Sequence, residues 1–469
     1  MNVNLPCLNI SRFVLETSSP LSIASGRSSM RFDTSIVRDA NGLPTIPGPS
    51  LAGVLRHLYA SSHGSENNLF GMAEGVDGLL SRLHVSWGCV HDSVDQPVEG
   101  LLLDKSGEER LSDALLIELL AEAPVLRRRV RINDRGVSDA NERGLFDRSA
   151  VPAGARFSFE ITLYSEDAND PEWEKVRGLF SHPGLRLGGA THGGLGDVRC
   201  VRWHEKSFDL REPDQYQAYV ALPVLMGVVT GMDSKDVGKD RMAKGWEYRS
   251  IRLQPEAGWR IGGTALTPLG NEGQKAPDDV PHHEMVIRWI HDKASIHPRI
   301  AVATASSVKG ALAHRIAFHA NRLAGRWAFS EDKEKQAVTG EDCPEVVSLF
   351  GRAKISRDKN GNGEKGQAGK IFIEDAYLIA DPPKVHWQMH TSLDRFTGGV
   401  RNKVLFGEEV IWDESFDLNI WINTKGLDKV SKDAWDLAVK DLMTGHLSLG
   451  GGVAHGHGWF TGEEVSHAG

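Results

Sequence analysis

The strongest constraint on this chain is an internal repeat: three landmarks recur in the same order in both halves of its 469 residues. The first opens with an apolar stretch, Ile36-Val37-Arg38 in one half and Val286-Ile287-Arg288 in the other. Ser50 and Ser307 then stand where helix N-caps are expected; after Ser50, Leu51, Val54, Leu55, Leu58 and Tyr59 follow helical spacing. Leu-Phe-Gly comes next in both halves, at Leu69-Phe70-Gly71 and Leu349-Phe350-Gly351. The second landmark is Asp134-Arg135 and Asp394-Arg395, each at a matching distance before an alternating, strand-like run (156–163 and 415–422). The third is glycine-rich, Leu187 through Gly196 and Leu449 through Gly458, each after a predicted helix (172–180 and 431–444).

Each copy therefore reads strand, helix, strands, helix, glycine loop, strand. That order predicts an α+β protein of two tandem ferredoxin-like (βαββαβ, RRM-like) modules with loop insertions. The modules are placed at 1–205 and 247–469, with 206–246 a linker or insertion that matches nothing in the other copy. The stretch 91–126 is extra to the first copy, and 357–370, rich in Gly, Lys and Asn, reads as a mobile surface loop.

Composition narrows the class. The four cysteines, Cys7, Cys89, Cys200 and Cys343, are isolated, which argues against a disulfide framework or a cysteine-based zinc site. Reduced cytoplasmic thiols are the expectation. There is no basic-then-apolar leader and no run of roughly 20 apolar residues, so neither secretion nor a membrane is expected. A net charge of −9 argues against a nonspecific polyanion binder, yet Arg127, Arg128, Arg129, Arg131 and Arg135 crowd into one short run.

Glycine loops such as Gly188-Gly189 and Gly450-Gly451 let a backbone approach a phosphate closely. Lying after a helix, they lack the context of a dinucleotide fold; close packing of the last strand is the plainer use. His192, His455 and His457 flank the loops. His455 and His457 suggest metal ligands, but no third ligand stands nearby in sequence, so solvated or RNA-facing imidazoles are expected.

Together, Asp33-x-x-Ile36-Val37-Arg38-Asp39, Ile46-Pro47-Gly48-x-Ser50-Leu51-x-Gly53-x-x-Arg56, Leu-Phe-Gly, the terminal glycine loops and Thr391 through Gly398 resemble the RAMP superfamily. Within it, the motif order is similar to that of backbone subunits of type III CRISPR effector complexes, in a tandem fusion like those of type III-D variants. The resemblance implies a subunit that grips guide CRISPR RNA and cuts paired target RNA, an endoribonuclease with Asp33 catalytic and Mg2+ or Mn2+ as cofactor. It implies partners too: further backbone subunits and a large polymerase-like subunit.

RNA contacts would fall to Arg38, Ser50, Arg56, the run Arg127, Arg128, Arg129, Arg131 and Arg135, and the first glycine loop with Gly188, Gly189 and His192. In the second copy they would fall to Arg288, Ser307, Lys309, Arg395, Arg401, Lys403, Gly450, Gly451 and His455. Aligning Val286-Ile287-Arg288 with Ile36-Val37-Arg38 puts His283 at the place of Asp33, with Asp278 and Asp279 a little earlier. The second copy then cuts through one of those aspartates, uses His283, or only binds, and the register favours binding. The alternatives are a noncatalytic guide scaffold and a guide-processing ribonuclease.

Overall fold

The computed structural model describes all residues except 1–4, 27–30, 75–76, 131, 134–137, 139–143, 239–240, 242, 264–267, 271–276, 353–365, 381 and 466–469. In the first half Cys7–Thr17 is central. It pairs antiparallel with Arg156–Ser165 and Val198–Asp209, and Leu83–Val85 lies on the far side of Arg156–Ser165. In the second half Trp246–Pro255 sits between Phe416–Asn423 and Phe460–Glu464, with Ile371–Ile373 beyond Phe416–Asn423. Numbered along each copy, both sheets run strand four, one, three, two, the order of a βαββαβ module.

Alternation dictates the cores. Phe416, Leu418, Ile420 and Ile422 are buried while their neighbours are only partly so. Phe13, Phe157, Phe159 and Trp203 fill the first core, and Trp259, Phe416, Trp435 and Phe460 the second. Helices Gly48–His63 and Pro171–Gly178 bury their apolar stripes in the first, and Ala305–Leu323 and Lys429–Met443 in the second. Each fully buried aromatic contributes about 2–3 kcal/mol of transfer free energy. The stretch 91–126 adds two short helices whose Leu115, Leu116 and Leu119 join the first core.

Two expectations need correction. Ser50 and Ser307 are the third residues of their helices rather than caps; Pro47 and Thr304 hold the cap positions without side-chain cap bonds. The second helix start is instead satisfied from afar, Ala305 N donating to Asp375 Oδ1 at 2.8 Å. Cap propensity is local, whereas this acceptor arrives from tertiary packing.

Val286-Ile287-Arg288 does not correspond to Ile36-Val37-Arg38. It belongs to a hairpin, His283–Ile290 with Lys293–Ala303, which reaches back to the first module. There Ile287 N donates to Ala153 O at 2.9 Å and Trp289 Nε1 to Gly154 O at 2.7 Å, and Ile287 joins the first core. An inserted hairpin supplied a similar apolar triplet in the wrong place.

The segment 206–246 is tied to the first module. Strand Val198–Asp209 runs into it, Asp233–Ser234 pairs with that strand, and buried Arg12 donates to the carbonyls of Pro223, Leu225 and Val228. Most of 357–370 lies outside the described residues. No described helix is long and apolar enough to cross a membrane.

Two further hairpins, outside the two sheets just described, are called arms below. The first joins Val125–Val130 to Leu145–Ala150, the second Val385–Leu393 to Val400–Trp412.

Candidate functional site

In each module an acidic loop, its arm and its glycine loop meet, and the place where they meet is called its cleft below. In the first, Asp33 N donates to Asp147 O at 3.0 Å, and Asp147 N donates back to Asp33 Oδ2 at 2.8 Å. In the second, Asp278 N donates to Gly407 O at 2.8 Å, and Gly407 N donates back to Asp278 Oδ2 at 2.9 Å. The match continues outward. Thr34 bridges Arg148 and Asp279 bridges Glu408; Val37 N donates to Ile23 O and His282 N to Ile261 O. Asp278 is therefore the counterpart of Asp33, and His283 the counterpart of Arg38.

The same register pairs the arms. Arg129 lies opposite Phe146, and His390 opposite Phe406. Arg148 corresponds to Glu408 one step along. The glycine loops superpose likewise, with left-handed backbone at Gly188, Ala190, Gly194 and Gly196 matched at Gly450, Gly452, Gly456 and Gly458. Gly189 N and Gly451 N donate at 2.8 Å to the carbonyls of Ser22 and Arg260. A side chain at Gly188 or Gly450 would overlap those same carbonyls, which explains the glycines by close packing. His455 then stands where the first loop has Gly193.

The first cleft is cationic. The Arg129 guanidinium lies against Gly193 and Arg148 Nη1 against Gly189. Burial depresses the pKa of Arg129, with Arg148 adding to it, and that of Arg148. Burial and then Arg129 bring Lys309 down to about 8. Arg129 makes no hydrogen bond or ion pair among the described residues. Lys309 donates to Phe350 O at 3.4 Å, and positive charge so crowded favours an anion. Asp33 is exposed beside it and is the charge that holds up the Arg148 pKa.

The second cleft carries different chemistry in the same frame. His390 Nε2 lies 2.7 Å, His457 Nε2 3.7 Å and His455 Nδ1 3.9 Å from Glu408 Oε1. Arg260 Nε donates to Glu408 Oε2 at 3.1 Å and also faces Asp279.

Several of the expected RNA contacts have partners within the protein. Arg127 is buried between the modules: it donates in bidentate fashion to Glu284 at 2.7 Å and to Asp375 Oδ2 at 2.8 Å. Tyr377 Oη adds a bond to Glu284 Oε1 at 2.6 Å. Burial works against the Glu284 carboxylate, yet Arg127 holds its pKa down to about 2. Arg38 donates to the carbonyls of Gly42, Leu119 and Ala121 and Arg56 to Asn67, while Arg128 pairs with Asp147. His192 stacks on Phe372 and bonds Ile371 O, closing the first glycine loop onto the second module. His283 is buried, its Nδ1 at 3.1 Å from Pro281 O. Ser307 hydrogen-bonds Thr304, and Arg288 sits half-buried on the inserted hairpin. Arg395 and Arg401 are exposed on the second arm. Arg131, Arg135 and the side chain of Lys403 lie outside the described residues.

Sequence reasoning missed Arg148, His390 and Glu408. Only arm register brings them to the glycine loops, and no local pattern encodes it.

With this geometry in place, comparison with known families returns one match. A model described as RAMPs, the RAMP superfamily, covers residues 14–199 and 302–461, most of the chain. The chain belongs to the RAMP superfamily. One matched region falls in each module, so it is a tandem RAMP protein. Membership makes it a CRISPR-associated, type III-like RNA-binding subunit that works with CRISPR RNA and other effector subunits. No curated protein matches the chain.

Proposed function

We propose that this RAMP protein holds a guide CRISPR RNA and its paired target along both modules and cuts the target at the first cleft through Asp33. The observation that carries the reading is an exposed carboxylate beside Arg148, which shares one cationic cluster with Arg129 and Lys309. Asp33 Oδ2 is fixed by the Asp147 amide, leaving Oδ1 to take a proton from a target 2′-hydroxyl. The 2′-oxygen attacks the adjacent phosphorus in line, the bond to the 5′-oxygen breaks, and that oxygen is protonated from solvent. Products are a 2′,3′-cyclic phosphate and a 5′-hydroxyl. Arg129, Arg148 and Lys309 stabilise the charge that builds on the phosphorane oxygens.

The cleft offers too few oxygens to cage a resident ion. A Mg2+ or Mn2+ there would be held jointly by Asp33 and RNA phosphates, and would add charge to the same oxygens. The second cleft has Asp278 but Glu408 and His390 in place of Arg148 and Arg129, which supports binding without cutting. Its arm is unpartnered at the tip, with Leu393, Phe396 and Val400 strongly exposed. Since the first arm and glycine loop dock on the second module, a further backbone subunit would dock likewise on the second, with a large polymerase-like subunit elsewhere in the complex.

A noncatalytic scaffold is the second reading, favoured by one observation: Asp33 and Asp278 make the same strap to their arms, so the strap alone explains both residues. The test is a guide-loaded complex carrying Asp33→Asn, which keeps an acceptor for the Asp147 amide but not the base. Loss of one target cut with RNA binding intact supports catalysis; a full set of cuts means the strap is the whole role.

A further inference from the structure

We propose that His390, Glu408 and His455 bind one divalent transition-metal ion of zinc-like preference in the second cleft. One donor atom from each lies within 4.8 Å of the others, among the described residues the one such group of three. They come from three places: His390 and Glu408 from the two strands of the second arm, His455 from the glycine loop.

The cluster is unsatisfied without a further partner. Glu408 Oε1 and His390 Nε2 are buried and lack hydrogen bonds, although they approach to 2.7 Å. Buried polar atoms ordinarily find partners. Here a carboxylate oxygen is ringed by imidazoles that make no hydrogen bond to it. The rings of His390 and His455 stack with centroids 4.6 Å apart and 13° between planes, so both present nitrogen edges to the same oxygen.

The surroundings orient the ligands as an outer shell does. Arg260 fixes Glu408 through Oε2 and leaves Oε1 to an ion. Phe406 backs His390, with centroids 5.0 Å apart. Two imidazoles and a carboxylate suit zinc-like ions and leave a fourth position open; Mg2+ and Ca2+ prefer all-oxygen sets. Bonds of about 2.0 Å place donors roughly 3.3 Å apart. The 2.7 Å contact must widen slightly and His455, at 3.9 Å, must close in. His455 is half exposed on its loop and free to do so.

The duplication supplies a control. The equivalent positions in the first module are Arg129, Arg148 and Gly193, which hold fixed positive charge and cannot bind a metal. An ion in the second cleft would place positive charge at the matching point by other means.

The test needs no RNA, so its failure leaves the Asp33 reading untouched. The chelator-stripped full chain is titrated with Zn2+ by calorimetry and with Co2+ by visible absorption. One equivalent should bind, and His455→Ala and His390→Ala should each weaken binding by at least about a hundredfold. His446→Ala, on the same module, should bind as wild type does. His455→Ala alters an exposed loop residue, so loss of binding there is separable from misfolding by thermal unfolding of the metal-free variants. Absence of stoichiometric Zn2+ or Co2+ binding, or binding unchanged in both histidine variants, overturns the proposal.

Discussion

Asp278 holds the second arm at Gly407 with the same two hydrogen bonds by which Asp33 holds the first arm at Asp147. The strap sets each acidic loop against its arm and glycine loop. What differs between the modules is therefore not where the aspartate sits but which charges face it.

That difference predicts unequal aspartates. In a guide-loaded complex, Asp33→Asn should abolish one target cut, with a rate loss of at least about a hundredfold, the usual worth of a general base. Asp278→Asn should leave the cut pattern unchanged, because Glu408 and His390 stand there in place of Arg148 and Arg129. Mapping target fragments by gel reads both; a cut lost with Asp278→Asn would mean that the second cleft is active.

Arg127 should matter for stability rather than RNA contact. Arg127→Ala leaves Glu284 and Asp375 buried without their cation, at a cost of about 3–5 kcal/mol. Denaturant unfolding measures the loss. RNA affinity under native conditions should fall far less than for Arg129→Ala.

Lys309 predicts a pH dependence. Its pKa lies at about 8, against an ordinary 10.5. It is charged below the lower value, so RNA affinity should fall as pH rises from about 7 to about 9, and Lys309→Arg should flatten that fall. Stability runs the other way. Between the two values the unfolded chain binds the extra proton, so this group's contribution to stability rises with pH. Filter binding at several pH values checks the first, and thermal unfolding of wild type against Lys309→Met the second.

Gly154 is a point of contact between modules. It has φ of +86°, and an added Cβ would overlap the carbonyl oxygen of Ile287. Gly154→Ala should cost about 2–4 kcal/mol by strain and displaced packing, seen as a lowered melting temperature.

The sequence by itself determined the repeat, the strands with alternating apolar residues, the second helix of each module and the glycine loops. These are local: period-two burial in Phe416–Asn423 and left-handed turns at Gly188 and Gly450 follow from neighbouring residues. Tertiary structure decided the rest. An inserted hairpin displaced Val286-Ile287-Arg288, so only hydrogen-bond register identified Asp278 rather than His283 as the partner of Asp33. Arg127 reads like its neighbours in the run, yet Glu284 and Asp375 bury it while Arg129 faces the cleft. His455 lacked a third metal ligand in sequence because His390 and Glu408 reach it only through pairing across the second arm. Periodicity fixes which face a residue shares with its neighbours; which distant charge it meets is set by strand register and packing.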